Sequence, residues 1–206
     1  MKIPQNSNPC RLPFSAGLVL LALVFFSPVP DTAASEGRAA RTMSFELGVR
    51  QCVHESFSNL GPGLNRLNRT YAAALFEFGR QVAGLTGRPA AYISIPLQFS
   101  WAPESGSARS SYILSYGWTV RHDLLKKERR IVPFLGYGLL LNQFFVPSVT
   151  GHVIGHETRF DIGADIGLAG GTKLIVKIEY SMMSYYGFGR KSASVGMVSV
   201  KTGLRF

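Results

Sequence analysis

Two imidazoles and a carboxylate fall together in Gly151-His152-Val153-Ile154-Gly155-His156-Glu157. With a hydroxyl such as Ser148 or Ser184, a histidine and a carboxylate could carry out acyl transfer at an ester, the histidine moving the proton. The same side chains could hold a metal ion, but a glycine precedes each histidine and no third ligand stands at a fixed spacing, so no metal site is expected. His152 and His156 are thus the catalytic candidates of the chain. His54 and His122 fall near strand ends, where an imidazole is ordinarily solvated or interfacial. Cys52 reads as a small apolar side chain. Cys10 precedes the apolar leader, so it is not the lipid-bearing first residue of a mature chain.

Asp161, Asp165, Lys177 and Glu179 form a second group, able to serve as paired carboxylates in acid-base chemistry or to line an ion path. The structural alternative is a network of internal ion pairs. The glycines stand singly on strands and make no phosphate-cradling loop, so neither a nucleotide nor another cofactor is expected.

The elements that position these groups are strands. Val198, Val200, Thr202, Leu204 and Phe206 alternate with Ser199, Lys201, Gly203 and Arg205, a period of two. Phe160 to Leu168 and Leu174 to Met182 alternate in the same way, joined by the tight turn Ala169-Gly170-Gly171-Thr172. Tyr112 to Arg121, Ile131 to Asn142, Ile93 to Trp101 and Ser44 to Arg50 supply four more strands. Residues 54–89 are ambiguous. Leu64, Leu67, Tyr71, Leu75, Phe78 and Val82 also recur at helical intervals. A single-chain bacterial barrel needs an even number of strands, so an eighth strand is expected near Tyr71 to Arg80.

Residues 1–34 read as a secretory signal peptide: Lys2 and Arg11, an apolar run from Leu12 to Phe26, then prolines and the small residues Thr32-Ala33-Ala34-Ser35. The run is shorter than the roughly 20 residues that a spanning helix requires. Residues 35–206 then form one domain, with Cys52 as its lone thiol and no disulfide possible.

Apolar alternation alone also fits a soluble sandwich. Here the opposite face carries glycine, serine and charges of both signs, and aromatics (Trp101, Tyr112, Trp118, Tyr180, Tyr185, Tyr186, Phe206) stand near strand ends as they do in interfacial girdles. Backbone amides facing hydrocarbon need closed edges, so export with alternation implies a cylinder. Short turns at 123–129 and 169–172 would face the periplasm, and longer loops at 143–157 and 184–194 the exterior. The fold class expected is all-β, an antiparallel up-and-down transmembrane barrel of eight strands.

The signal peptide, the paired-strand rhythm over most of 43–206 and the ending Val200-Lys201-Thr202-Gly203-Leu204-Arg205-Phe206 resemble the small eight-stranded bacterial outer-membrane barrels, the outer-membrane protein A-like group. The resemblance implies that Phe206 is the terminal aromatic read by the barrel-assembly machinery. Some barrels of this kind trim or acylate lipid A with a rim histidine, but no spacing here matches their motifs.

With the apolar comb facing lipid, Glu46, Arg50, Arg121, Arg159, Asp161, Asp165, Lys177, Glu179, Lys201 and Arg205 point inward, with Glu77 if the eighth strand forms. Eight strands enclose a space that side chains can fill, so opposite charges should pair across the axis and plug it. The net charge of +10 reflects loop residues such as Arg66, Arg69, Arg88, Arg109, Arg190 and Lys191. In an exported protein their expected partners are outer-membrane lipids and lipopolysaccharide, not nucleic acid. The expected protein is a monomeric, integral outer-membrane barrel with a structural or surface-interaction role and no catalysis. A rim-active lipid A-modifying enzyme and a narrow small-solute channel remain the alternatives.

Overall fold

The period-two alternation resolves into strands that are longer than the sequence pattern alone delimits. The computed structural model describes residues 40–56, 69–83, 89–105, 109–126, 129–147, 152–186 and 192–206. The expected signal peptide, with Cys10, lies outside the described residues. Within Gly37–Phe206 the strands are β1 (Arg41–Glu55), β2 (Thr70–Ala83), β3 (Ala91–Ala102), β4 (Ser111–Asp123), β5 (Ile131–Phe145), β6 (His152–Gly167), β7 (Lys173–Tyr186) and β8 (Ser192–Arg205). Each pairs antiparallel with the next, and β8 returns to β1 through Ser44↔Arg205 to Glu55↔Val195, so the sheet closes as a barrel of eight strands. Closure leaves no unpaired edge.

The segment around Tyr71 to Arg80 is strand β2, paired with β1 from Gln51↔Thr70 to Arg41↔Arg80. Its helical periodicity loses to tertiary context: two neighbouring strands supply backbone partners along its length. Because the strand number is even, β1 starts and β8 finishes at the same end of the barrel, called here the termini end. The opposite end is the loop end. At the termini end β6 turns into β7 through Ala169–Gly171, where Gly170 (φ 73°) and Gly171 (φ 82°) take left-handed backbone angles. A side chain there would cost roughly 1–2 kcal/mol per residue.

Side chains sort by parity. On the outer wall Leu139 is 70% exposed, Trp118 65% and Ile162 56%, with Phe45, Phe76, Leu97 and Val200 also exposed. A continuous belt of large apolar side chains of this kind is matched by hydrocarbon and mismatched by water. Phe45 and Phe76, direct cross-strand partners, bring their rings to 4.7 Å.

Three expectations require correction. The segments 143–157 and 184–194 are not long loops: β5 continues to Phe145, β6 begins at His152, β7 continues to Tyr186 and β8 begins at Ser192. His156 and Glu157 consequently stand on a strand, on opposite faces of the wall. Tyr185 does not belong to an outer aromatic girdle. It points inward and is fully buried.

Candidate functional site

The interior is stacked in layers, which the period-two phase of each strand generates. At the termini end, Asp165 gathers Arg121 (2.7 Å), Arg205 (3.1 Å) and Lys173 (3.7 Å), while Asp123 takes a second contact from Arg121 (2.9 Å). The two guanidinium groups also lie on aromatic faces, Arg121 over Phe134 at 3.6 Å and Arg205 over Tyr92 at 4.2 Å.

The next layer centres on Lys177, which reaches past β8 to Glu46 on β1 (2.9 Å). Glu77 accepts from the Thr119 hydroxyl at 2.8 Å. Asp161 lies against Gly136, whose missing side chain leaves room for that carboxylate. Above it, Lys201 donates to Glu179 (2.6 Å) and to the side-chain amide oxygen Oε1 of Gln98. The Lys201 stem passes Gly48, where a Cβ would lie 2.7 Å from Cγ of the lysine.

The uppermost charged layer is Arg50, Glu157 and Arg159, all within 1% of complete burial. Arg50 donates to Glu157 (3.1 Å), Ser181 (3.0 Å) and Ser100 (3.2 Å), and Arg159 to Glu157 (2.9 Å). With its amide turned to satisfy its neighbours, Asn142 donates to the second Glu157 oxygen (3.0 Å) and to Ser115 (2.6 Å). Among the described residues, the inward charges balance: Glu46, Glu77, Asp123, Glu157, Asp161, Asp165 and Glu179 face Arg50, Arg121, Arg159, Lys173, Lys177, Lys201 and Arg205. Desolvating so many charges is tolerable because most of them find an opposite charge with hydrogen bonds.

Beyond Arg50 the lumen changes character. Tyr71, Ile113, Phe144, Met183, Tyr185 and Met197, with Cys52, Ala102, Val146, Ala193 and Val195, pack as a buried apolar cluster across the loop end. Its polar atoms are satisfied locally: the Tyr71 hydroxyl meets Ser111 at 2.9 Å and the Tyr185 hydroxyl donates to the Met183 sulfur at 3.2 Å. The outer wall at this level becomes polar from β6 round to β1, through His156, Ser184, Ser194, His54 and Gln51, although Ile154, Val53 and Tyr186 remain exposed there.

The wall divides the proposed esterase constellation. His156 faces outward, with the Tyr186 hydroxyl at 3.3 Å from Nδ1, and Ser184 is its direct cross-strand partner. Glu157 faces inward between two arginines and is out of reach of His156. His152 opens β6 opposite Phe145; its side chain, like Ser148, lies outside the described residues. The basic residues Arg66, Arg88, Arg190 and Lys191 also lie outside them, whereas Arg69 is exposed and pairs with Glu55 at 3.7 Å.

Neither a protein-family model nor a curated protein matches the chain. Among solved structures, Neisserial surface protein A superposes with a TM-score of 0.59 at 14% identity, covering 81% of this chain and 97% of that one. The chain has the fold of the small eight-stranded outer-membrane barrels. Two further structures of this outer-membrane barrel class, from Pseudomonas aeruginosa, are similar at lower scores. The N-terminal barrel domain of OprF gives a TM-score of 0.45 at 9% identity over 82% of this chain and 100% of that one. The outer membrane protein OprG gives 0.46 at 10% identity over 84% and 98%.

Within the barrel, several partners escaped the sequence reading. Asp123 and Lys173 complete the termini-end layer, yet each stands at a strand end next to a turn. Their signal was parity, since Asp123 is in phase with Arg121 and Lys173 with Lys177. Gln98, Ser100, Asn142 and Ser181 are uncharged and so looked like ordinary inward polar residues. Each proves to be a hydrogen-bond partner of a buried charge or of another residue in its network.

Proposed function

We propose that this protein is an integral outer-membrane barrel, exported by its leader, with a closed lumen and a structural or surface-interaction role. The observation that supports this reading most is the stacked interior, in which layers of paired charge are overlaid by the Tyr71–Phe144–Tyr185 apolar cluster. A conducting path would need continuous water, and a buried apolar cluster across the lumen excludes it. In this orientation the loop end faces the exterior, lipopolysaccharide surrounds the polar upper wall, and the termini end faces the periplasm. Phe206, which hydrogen-bonds through its backbone to Met43 on β1, is the element offered to the assembly machinery. The test is conductance in planar bilayers. The folded protein should add no steps to the baseline of the bare membrane, and reproducible unitary steps would overturn the closed lumen.

A second reading, a rim-active lipid A-modifying enzyme, is favoured only by the outward His156–Ser184 pairing. It requires that lipid A mass change on expression and that His156→Ala abolish the change. Identical lipid A with and without the protein would end it.

A further inference from the structure

Arg41 on β1 and Arg80 on β2 are direct cross-strand partners, both on the outer wall and both exposed, at the termini end. Directly opposed residues of an antiparallel pair bring their Cα atoms within about 4.5–5.5 Å, and like charges so placed destabilise the sheet. Among the described residues no acidic group pairs with either arginine. Phe206 pairs through its backbone with Met43, its amide donating to the Met43 oxygen at 2.9 Å and its oxygen accepting from the Met43 amide at 3.2 Å. Two guanidinium forks thus stand side by side, and among the described residues no acidic side chain pairs with either.

What lies above them is apolar. The next outward pairs along the same two strands are Met43 with Phe78 and Phe45 with Phe76, between 38% and 48% exposed. A twin cation at the foot of an apolar ridge matches one chemistry, an anionic headgroup joined to hydrocarbon chains. Guanidinium suits phosphate because its planar fork can donate two parallel hydrogen bonds to two oxygens.

We propose that Arg41 and Arg80 form a binding site for the phosphate of an anionic phospholipid in the periplasmic leaflet. The acyl chains of that lipid run along the Met43–Phe78 and Phe45–Phe76 ridge. The inference rests on the membrane-spanning reading above and adds a specific lipid contact to it. It also accounts for the like-charge pair, which a bound phosphate converts from repulsion to a bridge across β1 and β2. Lipopolysaccharide phosphates occupy the opposite leaflet and do not reach this end.

The test uses the folded protein in vesicles of pure phosphatidylcholine and in vesicles that also contain phosphatidylglycerol. Heat-modified gel migration in pure phosphatidylcholine first establishes insertion, independently of any lipid site. The thermal midpoint should rise when phosphatidylglycerol is present, and retention of this lipid in native mass spectrometry should fall roughly thirtyfold in Arg41→Gln/Arg80→Gln. In pure phosphatidylcholine the same double variant should be at least as stable as the parent, because its like-charge pair is gone. That reversal of sign between lipids distinguishes a lost site from a damaged fold. Lys126→Gln/Arg130→Gln, which removes exposed charge from the β4–β5 turn at the same end, should keep the phosphatidylglycerol effect. An equal midpoint shift in the Arg41/Arg80 variant, no shift in the parent, or equal loss in the turn variant would overturn the proposal.

Discussion

Between the Arg121–Asp165–Arg205 end of the lumen and the Tyr71–Phe144–Tyr185 end, the strands from β6 round to β1 reverse the phase in which they place apolar side chains. On β7, Ile178 and Tyr180 point outward while Lys177 and Glu179 point inward; a few residues later Met183 and Tyr185 point inward and Ser184 points outward. On β8 the change falls between Met197, buried, and Val200, exposed. Below the reversal the barrel obeys the rule of a lipid-facing wall with charges inside. Above it, from β6 round to β1, the barrel follows the rule of a water-facing wall with an apolar core. The difference teaches where hydrocarbon should stop on that side of the molecule: on the membrane-spanning reading proposed above, the reversal level is the outer boundary of the bilayer, and the apolar cluster lies beyond it.

The comparison is broken most severely in the charged region. Glu157→Ala leaves Arg50 and Arg159 buried without their shared carboxylate and should cost about 3–5 kcal/mol. Urea titration of the folded barrel in vesicles would measure this. Replacing the whole group with apolar residues of similar volume should recover much of the loss, as expected where charge desolvation nearly cancels pair attraction.

In the apolar region Phe144→Ala should cost about 3–5 kcal/mol by opening a cavity next to Tyr185, whose ring centroid lies 5.5 Å from that of Phe144. The loss should appear in the same titration without new conductance, because the Arg50–Glu157–Arg159 layer still blocks the axis. On the outer wall the two regions separate by magnitude. Leu139→Arg, at a belt position 70% exposed and near the middle of β5, should cost roughly 2–4 kcal/mol, the cost of a cation near the bilayer midplane. His156→Ala, on the polar side of the reversal, should change stability by less than about 0.5 kcal/mol. Equal effects of these last two substitutions on the unfolding midpoint would remove the proposed boundary.

The reversal also explains how far the fold was legible in the sequence. Combs such as Val198 to Phe206 and Leu174 to Met182 declare a lipid-facing strand because one parity is apolar throughout. Where the phase flips, polar His156 and Ser184 stand on the parity that is apolar elsewhere, and the pattern there looks like loops. The strands nonetheless continue there, with Phe144, Val153 and Tyr185 turned toward the interior. Strand β2 was legible only through the even-number rule, since Tyr71, Leu75 and Phe78 satisfy a helical period as well. Of the candidate chemistry, adjacency in sequence was misleading for His156 and Glu157, because neighbours on a strand point to opposite faces. Parity placed Arg50, Lys177 and Glu179 on one face, but could not say that Glu157 joins Arg50 from the far side of the barrel. Contacts of that kind depend on register across several strands, which no local pattern encodes.

The two tryptophans of the chain, Trp101 and Trp118, both stand on the outer wall, 43% and 65% exposed, so their fluorescence reports on that wall alone. The most direct test of the account is quenching of single-tryptophan variants in vesicles whose acyl chains carry bromine at defined depths. Trp118, near the middle of β4, should be quenched best by deep bromines and be inaccessible to aqueous iodide, while Trp101, near the loop end of β3, should respond best to shallow ones. A Trp118 that ignores every brominated chain and is quenched by iodide would contradict a wall that faces hydrocarbon.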